Sequence, residues 1–237
     1  MTLDELVVQL TAAHGDALLG VVVYGSTAAD AAAKDDHNVL VVVRSLDVGA
    51  MHASGAIGRS WQQAGNAVLL TLTEAEWRSS VDVFAIEHAD IAERNRVLYS
   101  AGGFKVADGV SIRDADIRRQ LEYESLALVL AVRAGITAAG RDVRTQRALL
   151  GGQVGRAVAL FRAGVRLSGA APERSAEAVC AQAAALAGFD AGPFHAALLQ
   201  RRGTRNVPKA ELDRLLGAFH AGLMRFVAHV DDRDPGR

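Results

Sequence analysis

Cysteine is almost missing from this 237-residue chain. Cys180 stands alone, which excludes an internal disulfide, and its Ala-rich surroundings make it a small core residue of a reducing compartment. An excess of either charge is also missing: 26 basic residues face 27 acidic ones, for a formal net charge of -1. That balance offers nothing to a non-specific nucleic-acid or membrane-surface binder. No stretch reaches the roughly 18 apolar residues that a membrane span needs. The opening residues MTLDELVVQLTAAHG have neither a cationic start nor a signal-type apolar run, so a soluble, cytoplasmic protein is expected. Lysine occurs only at Lys34, Lys105 and Lys209, and the reliance on arginine matches a chain rich in Ala and Gly.

Hydrophobic residues make up 50% of the chain, enough for a sizeable core, and the length suits two modest domains. Thr2 followed by Glu5 is a capping box opening a first helix, whose stripe is Leu3, Leu6, Val7 and Leu10 and whose stop is Gly15. Residues 19–24 form a short apolar run that predicts a buried strand, ending in Gly25-Ser26. A short helix is expected over 27–33, a second buried strand over 39–43, and a helix over 51–64 with Trp61 inward. Strands are expected over 68–72 and 81–89, with a helical turn over 75–79 between them. Beyond the Gly102-Gly103 and Asp108-Gly109 turns, helical periodicity takes over at 114–139, 144–167, 175–187, 193–201 and 208–230. The expected architecture is an α/β domain over 1–110, a helical bundle domain over 111–230 and a frayed tail over 231–237.

The chemistry is concentrated where the first strand ends and the second begins. A strand delivering Gly25-Ser26 to a turn before a helix offers free backbone N–H groups and a positive helix end to a phosphate chain. Asp36 and Asn38 alternate on the next strand, so both side chains share one face. Asp35 and His37 take the opposite face. Oxygen ligands beside phosphates are what hard divalent cations require.

At Gly25, Ser26 and Asp36 the chain resembles the nucleotidyltransferase superfamily that includes the aminoglycoside and minimal nucleotidyltransferases. The motif of that superfamily is Gly-Ser, a gap of about ten residues, and Asp-hydrophobic-Asp/Glu on a strand. Here His37 replaces the hydrophobic residue and Asn38 the second carboxylate. The chain is similar to a bacterial branch whose strand reads Asp-Ile-Asn. In that branch, segments like 82–87, 90–94 and 96–99 follow, and the likeness extends into the helical domain. The resemblance implies a mixed-sheet domain followed by an all-α domain. It also implies a nucleoside triphosphate such as ATP bound with Mg²⁺ by Gly25, Ser26, Asp36 and Asn38, and transfer of a nucleoside monophosphate to a hydroxyl of a small molecule or protein.

The same resemblance implies a third carboxylate on a neighbouring strand. Glu87, inside an apolar segment, is preferred over Asp82 at its entrance, because a carboxylate there is costly unless paired or metal-bound. Asn38 removes one negative charge from the cluster, which predicts weak or lost transfer with nucleotide binding retained. A non-catalytic nucleotide sensor or interaction module on the same fold is the alternative, and a homodimer is compatible with either.

Other features carry less. Arg118, Arg119, Arg133, Arg144, Arg147, Arg156, Arg162 and Arg166 populate the first two long helices of the second domain, where a solvated helix face is the ordinary expectation. Arg214 and His220 resemble the Arg-to-His spacing of helical toxin ribonucleases, but six helical residues separate the two side chains by about 120°. Trp61, Trp77 and the phenylalanines read as core.

Overall fold

The computed structural model describes residues 1–25 and 37–232; residues 26–36 and 233–237 lie outside the described residues. The expected helix over 27–33 and most of the expected tail therefore fall outside them. The chain divides into two compact units, Met1–Arg113 and Asp114–Arg237. No helix among the described residues is long and apolar enough to cross a membrane.

The first unit is built on a four-stranded mixed sheet in the order β3-β2-β1-β4. Its strands are β1 (Leu18–Tyr24), β2 (Asn38–Val43), β3 (Leu70–Thr73) and β4 (Asn95–Ser100). β1 runs antiparallel to both β2 and β4, whereas β2 and β3 are parallel and joined through α2 (Val48–Gln63). β1 and β2 are continuous apolar runs because both of their faces are covered. On one face Val21, Val23, Val39, Val41 and Val43 pack with Leu6 and Leu10 of α1 (Leu3–His14) and with Ile57 and Trp61 of α2. On the other, Leu19, Val22, Leu40 and Val42 pack with Trp77 of α3 (Glu74–Ser79), Ile91 of α4 (Ala85–Glu93) and Phe104. Gly20 makes room for that last ring: a Cβ there would lie 2.8 Å from Phe104.

Local signals open the helices. In the Thr2 capping box, the Thr2 N–H donates to Glu5 Oε2 at 2.8 Å and the Glu5 N–H to Thr2 Oγ1 at 3.2 Å. Thr73 and Glu76 form a second box at α3, and Asp47 caps α2.

One expectation is overturned. Residues 81–89 are not a strand: 81–83 turn, and Ala85–Glu93 is helix α4. The sequence AIEHADIAE is rich in Ala and Glu, which favour helix, and the buried residues Ala85, Ile86 and Ala89 recur at helical spacing. The alternation of Val81, Val83 and Ala85 is too short to compete. The fourth strand is instead β4, an edge strand in which exposed and partly buried residues mix.

The second unit consists of helices α5 (Asp114–Ala139), α6 (Val143–Leu167), α7 (Ala176–Ala187), α8 (Gly192–Arg201) and α9 (Lys209–Asp232). Phe161 is its aromatic hub, with ring centroids 4.8 to 5.3 Å from Phe226, Phe194 and Phe189. Both tryptophans are core, as expected, whereas Phe84 is 47% exposed and departs from that reading.

Candidate functional site

Because β1 is antiparallel to both of its neighbours, its C-terminal end meets the starts of β2 and β4. Tyr24 pairs directly with Asn38 on one side and with Asn95 on the other. Polar side chains therefore gather at one end of an otherwise apolar sheet. Immediately after Tyr24 the chain bends at Gly25, whose φ of 83° lies in the left-handed region that favours glycine. The Gly25 N–H donates to the Arg94 carbonyl at 3.1 Å, tying the bend to the segment before β4. A Cβ on Gly25 would lie 3.4 Å from Asn38 Nδ2. The Asn38 amide thus lies beside the bend, where a side chain at position 25 would touch it.

Directly opposed residues on adjacent strands share a face. Tyr24 packs against the core containing Leu40, Trp77 and Ile91, so Asn38 belongs to that face too. His37 goes the other way. Its ring lies 6.3 Å from the Trp61 ring on the α2 side, and its backbone N–H donates to Asn66 Oδ1 at 3.1 Å.

Helix α4 brings two carboxylates to Tyr24. The phenol is pushed up to about 12, first by burial and then by the charges of Glu87 and Asp90. It is therefore protonated at neutral pH and able to donate. Glu87 and Asp90 are three residues apart, on one side of α4, and Asp90 is buried. Glu87 thus reaches the site from a helix rather than from a strand, while its competitor Asp82 is exposed in the turn over 81–83. Asp90 and Tyr24 were given no role at the sequence level. Had 85–93 been read as helical, the Glu87/Asp90 spacing would have placed both carboxylates together.

Of the expected site residues, Gly25, Asn38 and Glu87 gather at this end of the sheet. Ser26 and Asp36 lie outside the described residues. Among the described residues no group of three His, Cys, Asp or Glu side chains is arranged to hold a metal ion. The side chains that do gather, Asn38, Glu87 and Asp90, carry oxygen donors, which suit a hard divalent cation rather than a thiophilic one.

No protein-family model matches this chain, and no curated protein matches it. The functional reading rests on the residues themselves.

Several other polar side chains have structural employment. His88 is buried beneath Trp77, with ring centroids 3.8 Å apart, and its Nε2 lies 3.3 Å from Ser80 Oγ. Burial pushes it down to about 4, so it is a neutral core residue. His220 Nε2 accepts from Arg133 Nε at 3.0 Å, so its partner is on α5 and not Arg214. Arg147 donates to the Val207 carbonyl and Arg156 pairs with Glu124. Arg119 reaches Asp116 at 3.3 Å, and Arg162 is buried in α6. Cys180 is buried, and its thiol is pushed up to about 12 by burial and by the Glu177 charge, against the opposing influence of Arg162. Such a thiol is inert.

Proposed function

We propose that Met1–Arg113 is a nucleotidyltransferase-like module that binds a nucleoside triphosphate with Mg²⁺ where β1 ends and β2 begins. The observation that supports this reading is the closeness of the Asn38 side chain to the Gly25 bend, beside a Tyr24 that feels both Glu87 and Asp90. Backbone at a glycine bend can approach phosphate oxygens closely, and Ser26 adds a hydroxyl donor. Asp36, Asn38 and Glu87 are the residues that would hold the cation, with Asp90 as a further carboxylate. Bound there, Mg²⁺ would neutralise triphosphate charge.

Asn38 supports a site that holds nucleotide better than it transfers from it. Its carbonyl oxygen can complete a cation's shell but adds no charge, so cation affinity depends more heavily on the triphosphate itself. Transfer of a nucleoside monophosphate to a hydroxyl acceptor is accordingly weak or lost. The same residue favours the second reading, a nucleotide sensor or interaction module that performs no transfer.

A thermal-shift titration of the four ribonucleoside triphosphates, with and without Mg²⁺, tests binding. A ligand at 100 times its Kd adds about 2.7 kcal/mol of stability. We expect a Mg²⁺-dependent rise for at least one nucleotide, and a flat response to all four would remove the reading. Asn38→Asp is expected to strengthen Mg²⁺-dependent binding, because it restores a hard anionic ligand. Release of pyrophosphate by Asn38→Asp but not by the parent chain would identify the parent as a sensor.

A further inference from the structure

Helix α5 buries Ile117, Leu121, Leu128 and Val132 on its inner face, in the core of the helical unit. The outer face of such a helix is ordinarily polar. Here Tyr123, Leu126 and Leu130 stand on it, 74%, 48% and 53% exposed. Met224 of α9 is exposed at the end of this row, its Sδ 3.2 Å from Arg133 Nη2. Elsewhere in the unit, among the described residues, Leu199 is the one exposed large apolar side chain. Single exposed leucines are ordinary, whereas a row of apolar side chains on one face marks an interaction surface.

The row has a period. Arg119, Tyr123, Leu126, Leu130, Arg133 and Thr137 recur at spacings of four and three in alternation, and all six are exposed. That spacing is the seam of a two-helix coiled coil, here running about 27 Å along α5. Its charges select the partner. A parallel copy of α5 would set Arg119 on Arg119 and Arg133 on Arg133 at seam positions, like charge against like. An antiparallel copy, in the register that opposes Leu126 to Leu130, sets Arg133 on the Tyr123 ring instead. Cations are attracted to the face of that ring, and Glu122 adjoins it in the chain. The two middle layers are leucine on leucine, and the outermost set Arg119 against Thr137. The surface is therefore complementary to itself, and a two-fold pairing closes at two subunits.

We infer that α5 is a dimer contact, in which two copies of this chain pack antiparallel through Tyr123, Leu126, Leu130 and Arg133. The leucines leave water, and each Arg133, already held to His220 of its own α9, caps the Tyr123 ring of the second copy. A single helix pair belongs to the small, transient class of interface, so dissociation on the order of micromolar is expected. The inference is independent of the nucleotide reading.

Sedimentation velocity of the full chain from low micromolar to millimolar concentration tests this, with Leu126→Glu, Leu130→Arg and the double variant Leu126→Glu/Leu130→Arg. Each single variant buries a charge against leucine in both middle layers, which predicts association roughly 100-fold weaker. In the antiparallel register the double variant opposes Glu to Arg in both layers and should regain at least about tenfold of that loss. All variants should keep the Tm of the dissociated parent, since the replaced side chains face water in the single chain. A parent that stays monomeric throughout overturns the inference, as does a dimer that all three variants leave intact. Single variants that dissociate without rescue in the double variant overturn the antiparallel pairing. Failure of the variants to fold, or a clearly lower Tm at dissociating concentration, means that the row is packed within its own chain and also overturns it.

Discussion

In the helical unit Arg156 meets Glu124, Arg202 meets Glu177, Arg205 meets Glu211 and Arg133 meets His220. Its polar side chains are largely occupied with holding helices together. In the sheet unit the pattern changes at one end. Gly25, Asn38, Tyr24, Glu87 and Asp90 converge there, at a strand end rather than between helices. The contrast sets ion pairs between helices in one unit against a polar cluster at the end of an apolar sheet in the other.

The contrast can be broken most forcefully in the aromatic core. Phe161 is completely buried among three rings, and Phe161→Ala should cost about 3–5 kcal/mol in urea denaturation. A loss below about 1 kcal/mol would mean that the helical unit is not organised around it.

Next in size is an acid effect within the sheet unit. The folded pKa of His88, near 4, lies below its ordinary value of 6.5. Above pH 6.5 the ring is neutral in both states, and its burial is free of any protonation penalty. As pH falls from 6.5 toward 4 the unfolded chain takes up a proton that the folded one refuses, so stability declines through that window and levels off below it. The loss amounts to roughly 3 kcal/mol if the whole shift is realised. Unfolding free energy measured against pH should show this slope in the parent chain and lose it in His88→Phe. An unchanged slope would transfer the effect to another group.

The smallest effect sharpens the contrast. Gly25→Ala forces a side chain onto a φ of 83° and against the Asn38 amide, for a cost of about 1–2 kcal/mol. The same change should abolish Mg²⁺-dependent nucleotide stabilisation, a loss out of proportion to its effect on folding. Equal nucleotide shifts in parent and variant would separate the bend from the ligand.

Much of the fold was legible because its signals are local. Thr2 and Glu5 announce α1 three residues apart in chain and within hydrogen-bond reach in space. The apolar run before Gly25 needed no partner to be recognised as a buried strand. The failures share a cause. Residues 81–89 present two apolar alternations and an Ala-Glu helix in the same short stretch, and only packing on Trp77 and β4 selects the helix. β4 itself, Asn95–Ser100, mixes polar and apolar residues because it is an edge strand, so its identity comes from pairing with β1.

The candidate site divides in the same way. Gly25 and Asn38 were singled out by their spacing to a turn and to a strand. Glu87 was singled out by the cost of burying a carboxylate, but on the wrong element. Asp90 and Tyr24 were missed, since each becomes informative only when a partner from elsewhere in the chain is known.

Alone, the amino-acid sequence determined where helices begin, which runs are buried and which glycine bends toward a polar strand end. These follow from hydrogen bonds and periodicities spanning a few residues. Tertiary structure decided which carboxylates stand beside Tyr24 and which partners Arg133 and Arg156 find. Those are properties of charges brought together across long stretches of chain, where burial and distance set the energy and sequence separation sets neither.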